Sequence, residues 1–240
     1  MNYAIIFAGG VGNRMQNGAL PKQFLELNNK PIIIYTLDQF EMNEAIDGIV
    51  VVCVSGWEDY LQKKIDLFGI KKVVKILTGG SSAIESQFIG LDYINKLNQE
   101  DSIVLLHDGV RPLIDQKTIN DNVKCVQERG SAITVVPAIE TISFSGEEGK
   151  ITELIDRDKC LMARAPQSYL LKNVYNAHLK AQAENRTDFI DSATMMEHYG
   201  YDLYTVEGST KNIKVTTPMD YYIFKAILDA QNNEQVFGGM

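Results

Sequence analysis

Gly9, Gly10 and Gly12 follow a short apolar run, Tyr3-Ala-Ile-Ile-Phe-Ala8, and are followed in turn by Arg14 and by Lys22 within Leu20-Pro-Lys-Gln-Phe24. Glycine lets backbone N–H groups approach an anion with no Cβ in the way, and an arginine and a lysine nearby add two fixed positive charges. The chemistry open to that combination is phosphate binding. A second charged group, His107-Asp-Gly-Val-Arg-Pro112, stands directly after the apolar Ser102-Ile-Val-Leu-Leu106. Asp108 offers the hard oxygen that Mg²⁺ takes when it bridges nucleotide phosphates. Arg111 serves either that site or the neutralisation of Asp108, and His107 is open between an orienting and a catalytic residue. Asp191, Lys211 and Lys214 add charge at further predicted element ends. Cations therefore gather in one region of a chain whose net charge is −8.

Two familiar phosphate loops do not fit. Gly12 is followed by Asn13-Arg14 where a Walker A loop needs Lys-Ser/Thr, and Met15 stands where a dinucleotide fingerprint needs a third small residue. Nothing reads as a Ser/His/Asp or Cys/His nucleophile at a recognisable elbow. Catalysis would rest on positioning and charge: the phosphate of one substrate attacks the α-phosphorus of a nucleoside triphosphate, while cations and Mg²⁺ stabilise the leaving pyrophosphate.

The elements that must hold these residues follow from periodicity. Apolar runs at 3–8, 46–54, 73–77, 102–106 and 132–136 alternate with helical patterns at 31–40, 57–68, 84–94 and 118–129, the rhythm of a parallel sheet with right-handed crossovers. Both charged loops then sit at strand C-termini, where such sheets bind ligands. Residues 140–145 and 150–155 alternate about Gly146-Glu-Glu-Gly149 and read as a β-hairpin outside that rhythm. A projecting hairpin exposes strand edges, so the segment 138–160 is expected to be the arm of a homodimer. Farther on, helices are expected at 169–183, 192–199 and 217–231, with strands at 201–206 and 211–216. Asp191 or its neighbour caps the second of those helices.

The 240 residues, 45% hydrophobic and 22% charged, describe an ordinary soluble protein expected to form one domain over 1–240. The acidic balance argues against nucleic acid or an anionic membrane surface as the partner. Cys53, Cys125 and Cys160 are odd in number and widely spaced, which suggests neither a disulfide framework nor a zinc site. No signal sequence or membrane span is read, and the expected compartment is a reducing cytoplasm.

Taken in order, Ala8-Gly-Gly-x-Gly-x-Arg-Met15, Pro21-Lys-Gln23, Gly79-Gly80 with Ser86, His107-Asp-x-x-Arg-Pro112, Thr141, Arg157, Pro166-Gln167, Asp191, and Glu207-Gly208 with Asn212-Ile-Lys-Val-Thr216 cover nearly the whole chain. The set resembles the polyol-phosphate nucleotidyltransferases, specifically the cytidylyltransferases that include ribitol-5-phosphate and methylerythritol-phosphate cytidylyltransferase. The resemblance implies a Rossmann-like, mostly parallel sheet sandwiched by helices, and a dimer through a β-arm. The activity it implies is transfer of CMP from CTP to a small phosphorylated polyol with Mg²⁺. By position, Arg14, Lys22 and Lys214 would be catalytic. Ala8, Gly9, Gly10, Gly12, Gly80, Ser86 and Asp108 would hold the nucleotide, Asp108 also the metal. Arg111, Thr141, Arg157 and Asp191 would hold the acceptor, Thr141 and Arg157 acting on the neighbouring subunit. The sequence departs from the family in Ser81-Ser-Ala-Ile-Glu-Ser86, which lacks the usual arginine, and in Ala165-Pro-Gln167, where Thr-Pro-Gln is common. Leu20-Pro-Lys-Gln-Phe-Leu-Glu-Leu27 and Pro166-Gln-Ser168 lean toward the ribitol-5-phosphate branch, and hence toward polymer or capsule precursor synthesis. Methylerythritol phosphate is the alternative acceptor, and a non-catalytic nucleotide-binding regulatory subunit is the alternative of another class.

Overall fold

The first strand, β1 (Asn2–Ala8), shows how the sheet is built. Its two-residue period sends Ala4, Ile6 and Ala8 into one hydrophobic cluster and Tyr3 and Ile5 into another. β4 (Gly48–Cys53) divides in the same way, Ile49, Val51 and Cys53 to one side, Val50 and Val52 to the other. A strand that is apolar on both faces must be covered on both. The computed structural model, which describes residues 1–9, 20–97 and 101–231, supplies the two layers. Helices α1 (Ile32–Glu41), α2 (Glu58–Phe68) and α4 (Gln116–Arg129) pack on one face. Helices α3 (Ala83–Asn95), α5 (Leu171–Ala183) and α6 (Ser192–His198) pack on the other.

The sheet also contains β5 (Val73–Thr78), β6 (Ile103–Asp108), β7 (Ser131–Pro137), β10 (Leu161–Leu170) and β11 (Thr205–Glu207). Its order is β11-β7-β10-β6-β1-β4-β5. From β1 the chain winds outward through β4 to β5, then returns through α3 to β6 on the other side of β1. That reversal leaves a crevice beyond the C-terminal ends of β1 and β6, where loops diverge to opposite faces. β10 is antiparallel to both of its neighbours; the other pairings in the sheet are parallel.

Two short strands, β2 (Glu26–Leu27) and β3 (Lys30–Pro31), pair with each other ahead of α1. The predicted hairpin is present as β8 (Ile142–Ser145) and β9 (Ile151–Ile155), an antiparallel pair separate from the main sheet. The terminal helix α7 (Pro218–Gln231) packs Phe224 against Ile32, Val110 and Val215.

The structure corrects the sequence reading at three places. Tyr169 and Leu170 belong to β10 rather than to the following helix, because Tyr169 pairs with Ser131 and Val104 inside the sheet. Residues 211–216 form no strand; they cross the end of the sheet, where Val215 N–H donates to the Val110 carbonyl. The strand expected at 201–206 is limited to Thr205–Glu207, the part that reaches β7.

Asn122 of α4 ties its helix to the sheet. Its amide N–H groups donate to the Thr118 carbonyl and to Thr134 Oγ1, each at 2.9 Å, and its Oδ1 accepts from Ser168 Oγ at 2.8 Å. All three side chains are buried. Asn122→Ala leaves the Thr134 and Ser168 hydroxyls without that partner and is expected to lower stability by about 2–3 kcal/mol, read as a fall in the urea midpoint at unchanged slope. A loss below about 0.5 kcal/mol contradicts this account.

Candidate active site

A cleft of about 580 Å³ opens at the C-terminal ends of β1 and β6. On one side the chain leaves β1 through Ala8 and Gly9; on the other it leaves β6 through Asp108 and Gly109. Gly109 N–H donates to the Phe7 carbonyl at 2.9 Å, and a Cβ at this position would lie 3.0 Å from the same oxygen. Glycine thus lets the two strand ends approach, and the approach fixes where Asp108 points. At the end of β5, Gly79 N–H donates to the Cys53 carbonyl, and Gly80 N–H donates to Ser86 Oγ at 3.1 Å. Ser82 caps α3 by accepting from Glu85 N–H. The segment without the family's arginine is held by its own carboxylate, since Glu85 Oε2 accepts from both the hydroxyl and the N–H of Ser81.

Asp108 is the electrostatic centre. Its Oδ1 pairs with Lys214 Nζ at 2.7 Å and its Oδ2 with Arg111 Nε at 2.9 Å. Burial pushes the carboxyl up, but the Lys214 ammonium and the Arg111 guanidinium outweigh it and hold the group at about 2. His107, beside Asp108 in β6, is bonded to the backbone of the turn that follows. It is fully buried, its ring packs edge-on against Phe40, and burial pushes the imidazole down to about 4. The neutral ring donates from Nε2 to the Arg111 carbonyl at 3.2 Å, which supports the turn carrying Arg111.

Lys22 lines the cleft in a short 3₁₀ turn, Lys22–Phe24, anchored by the residues after it. Gln23 is buried and donates from Nε2 to the Ala8 carbonyl at 2.6 Å, while Phe24 stacks on Trp57 with ring centroids 5.0 Å apart. The lysine is thereby tethered to the end of β1. Opposite, Asp191 caps α6 with Oδ1 and accepts from Gln167 Nε2 with Oδ2. Gln167 in turn accepts from Ser192 Oγ and Ala193 N–H, so this wall is a closed network.

Of the residues singled out by sequence, Ala8, Gly9, Lys22, Gly80, Ser86, Asp108, Arg111, Asp191 and Lys214 line one cleft. Gly10, Gly12 and Arg14 lie outside the described residues. Thr141 and Arg157 are exposed on the hairpin segment and do not line the cleft of their own chain; Arg157 Nη1 donates to the Ile139 carbonyl instead. Lys211 is exposed and outside the cleft. Sequence reasoning assigned no role to Gln23, Gln167 or Arg164, all of which line it. The signal was available for Gln23 and Gln167, which sit inside the ordered motifs, and for Arg164 in the polar run Ala163-Arg-Ala-Pro-Gln167, which points toward the centre of the fold.

Among the described residues of the cleft, the one imidazole is bonded to a backbone carbonyl and is not paired with a hydroxyl or thiol. What the walls present is fixed charge and backbone donors at the switch point of a doubly wound sheet, the means of an α/β nucleotidyltransferase. Comparison with known proteins narrows the class. The family described as 2-C-methyl-D-erythritol 4-phosphate cytidylyltransferase (IspD) matches residues 2–230. A ribitol-5-phosphate cytidylyltransferase of Vibrio parahaemolyticus is 50% identical over 238 residues, 99% of this chain and 100% of that one. One from Streptococcus agalactiae serotype III is 48% identical over the same span, with the same coverage. Among solved structures, the Francisella tularensis 2-C-methyl-D-erythritol 4-phosphate cytidylyltransferase aligns with a TM-score of 0.77 at 27% identity, over 95% of this chain and 98% of that one. The chain belongs to this cytidylyltransferase family.

The buried histidines give a pH test. Burial lowers both His107 and His178 to about 4. Each imidazole is neutral in the folded protein but takes a proton in the unfolded chain below about pH 6.5. The unfolded state then binds more protons, so stability is full above pH 6.5 and falls as pH drops toward 4, by up to about 1.4 kcal/mol per pH unit for each ring. Urea midpoints between pH 7 and 4.5 should show this slope, and His178→Phe should make it shallower; an unchanged slope in the variant would refute the assignment.

Proposed function

We propose that the protein transfers CMP from CTP to D-ribitol 5-phosphate, giving CDP-ribitol and pyrophosphate. The observation that carries the reaction is the convergence of Lys22, Lys214 and Arg111 on one cleft, the last two held by the carboxylate of Asp108. The acceptor rests on full-length relatives 47–50% identical that are named for ribitol 5-phosphate. The family description favours methylerythritol 4-phosphate as the second reading.

In this reading CTP lies along Ala8, Gly9, Gly80 and Ser86. The polyol phosphate approaches from the side of Arg111 and Asp191. An oxygen of its phosphate forms a bond to the α-phosphorus, the bond from that phosphorus to the bridging oxygen breaks, and pyrophosphate leaves with the electron pair. A phosphomonoester is largely a dianion at neutral pH and needs no general base, which agrees with a neutral, buried His107. Lys22 and Lys214, with Arg14, would offset charge that builds on the transferred and departing phosphates.

Mg²⁺ fits the donor set. Asp108 is ionised, and its two oxygens keep acceptor capacity beyond their bonds to Lys214 and Arg111. No group of three or more His, Cys, Asp or Glu suited to a metal occurs among the described residues. Asp108 would therefore contribute one ligand, and triphosphate oxygens and water the rest, as this ion prefers. When bound, the ion neutralises phosphate charge and orients the triphosphate.

The hairpin supports a homodimer. Ile139, Phe144, Ile151, Leu154 and Leu161 are each more than half exposed along 139–161. An apolar arm of this kind calls for cover, and a second copy would bring Thr141 and Arg157 to the neighbouring cleft. Among the described residues no helix is long and apolar enough to cross a membrane.

Pyrophosphate release with CTP and Mg²⁺, run with D-ribitol 5-phosphate beside methylerythritol 4-phosphate, tests the function. Turnover with the ribitol ester is expected, and turnover with methylerythritol phosphate alone refutes the acceptor. Lys22→Ala should cut kcat by about 10²–10³ with unchanged circular dichroism; near-normal turnover removes its role. Sedimentation at micromolar concentration should return the mass of a dimer, and a monomer would dispose of the arm.

A further inference from the structure

Arg164 is a cation on the cleft wall to which the reaction so far gives no task. It sits in β10, flanked by Ala163 and Ala165, where the register with β7 shifts between Ala163 and Gln167. Its Nη1 donates to the Asn212 carbonyl at 3.1 Å, and Arg111 Nη1 donates to the same oxygen at 3.0 Å. Asn212 is itself locked, its side-chain Nδ2 donating to the Ala165 carbonyl. One backbone oxygen thus holds two guanidinium groups side by side against their mutual repulsion.

The charge around them does not balance. Arg111 and Lys214 share Asp108, and among the described residues no carboxylate lies within ion-pair distance of Arg164. Burial, with the Arg111 charge beside it, lowers the Arg164 pKa, the signature of a cation partly stripped of water without an anion in return. A guanidinium carries five N–H donors, and the bond to Asn212 uses one of them. The remainder, beside Arg111, form a surface suited to an oxygen-rich anion.

The sheet order says which substrate this is. Gly9, Gly80 and Ser86 belong to the β1 and β5–α3 side of the cleft, whereas Arg164 lies on β10, across β6 from β1. It shares its wall with Gln167 and Asp191, away from the nucleotide turn. We propose that Arg164 is an acceptor-binding residue, donating with Arg111 to oxygens of the phosphorylated polyol and contributing to the choice of acceptor. This assignment rests on the polyol-phosphate reading above. The small Ala165 beside it, in place of the family's common threonine, leaves that wall to the arginine.

The test compares wild type, Arg164→Ala and Arg164→Lys. Loss of a charge-assisted contact should raise the acceptor KM of Arg164→Ala about tenfold or more, with the lysine variant between it and wild type. The CTP affinity measured by calorimetry should stay within about twofold, because that half of the cleft is untouched. Equal loss for CTP and acceptor would mean a structural role, and an unchanged acceptor KM would mean no contact; either overturns the proposal. Calorimetric binding of ribitol 5-phosphate, ribitol and inorganic phosphate with CTP bound and metal withheld needs no turnover. If wild type turns over neither polyol phosphate, the functional reading fails, and Arg164 is judged on this binding alone. Weaker binding of ribitol 5-phosphate by the alanine variant upholds the assignment, and weaker inorganic phosphate as well places the contact at the phosphate end. A wild type that binds none of the three overturns it.

Discussion

The carboxylate of Asp108 is the point on which the site depends. It ends β6, and it is reached by Arg111 from the following turn and by Lys214 from more than a hundred residues later. Neither cation is close to Asp108 through helix or sheet ladders alone. The ion pairs close a junction between the two halves of the chain at the crevice itself. Removing the anion would leave two cations facing each other in a partly buried place, so the carboxylate is what allows the basic wall to exist before a substrate arrives. A polyanionic ligand can then meet charge already in position, with little reorganisation at the moment of reaction.

Around that junction the structure repeatedly uses backbone carbonyls to place charged side chains. The Asn212 carbonyl orients Arg111 and Arg164, the Arg111 carbonyl is held by His107, and the Ala8 carbonyl holds Gln23 beside Lys22. A backbone carbonyl has two lone pairs, so one in a turn or at a strand end can also take a side-chain donor and is a natural anchor. Because each anchor belongs to a different strand or loop, the geometry of the cations follows the geometry of the sheet. The buried networks about Asn122 and Gln167 keep β7, β10, α4 and α6 in that register.

The hairpin of β8 and β9 stands apart from this arrangement. It forms its own two-stranded sheet and carries apolar side chains outward, while Thr141 and Arg157 on this segment do not line the cleft of the same chain. An isolated hairpin is marginal in water, and apolar side chains exposed on it carry a cost.

Much of this was legible from local pattern. Continuous apolar runs ending in glycine or charge announced β1 and β6, helical spacing announced α1 to α4, and alternation about Gly146–Gly149 announced the hairpin. Those features are local because strand and helix periods are carried by neighbouring residues. Resemblance of ordered motifs pointed to nine of the residues that line the cleft. What the sequence did not reveal was β10, a strand whose polar centre, Ala163-Arg-Ala-Pro-Gln167, breaks the apolar pattern, and which stands in the sheet because Tyr169, Ser168 and Gln167 find partners in β6 and β7. Residue type and spacing alone did not separate Lys214, which reaches Asp108, from Lys211, which does not; the resemblance of ordered motifs did. Those outcomes depend on pairings between residues tens to a hundred positions apart, and only the closed sheet decides which side chains share a wall.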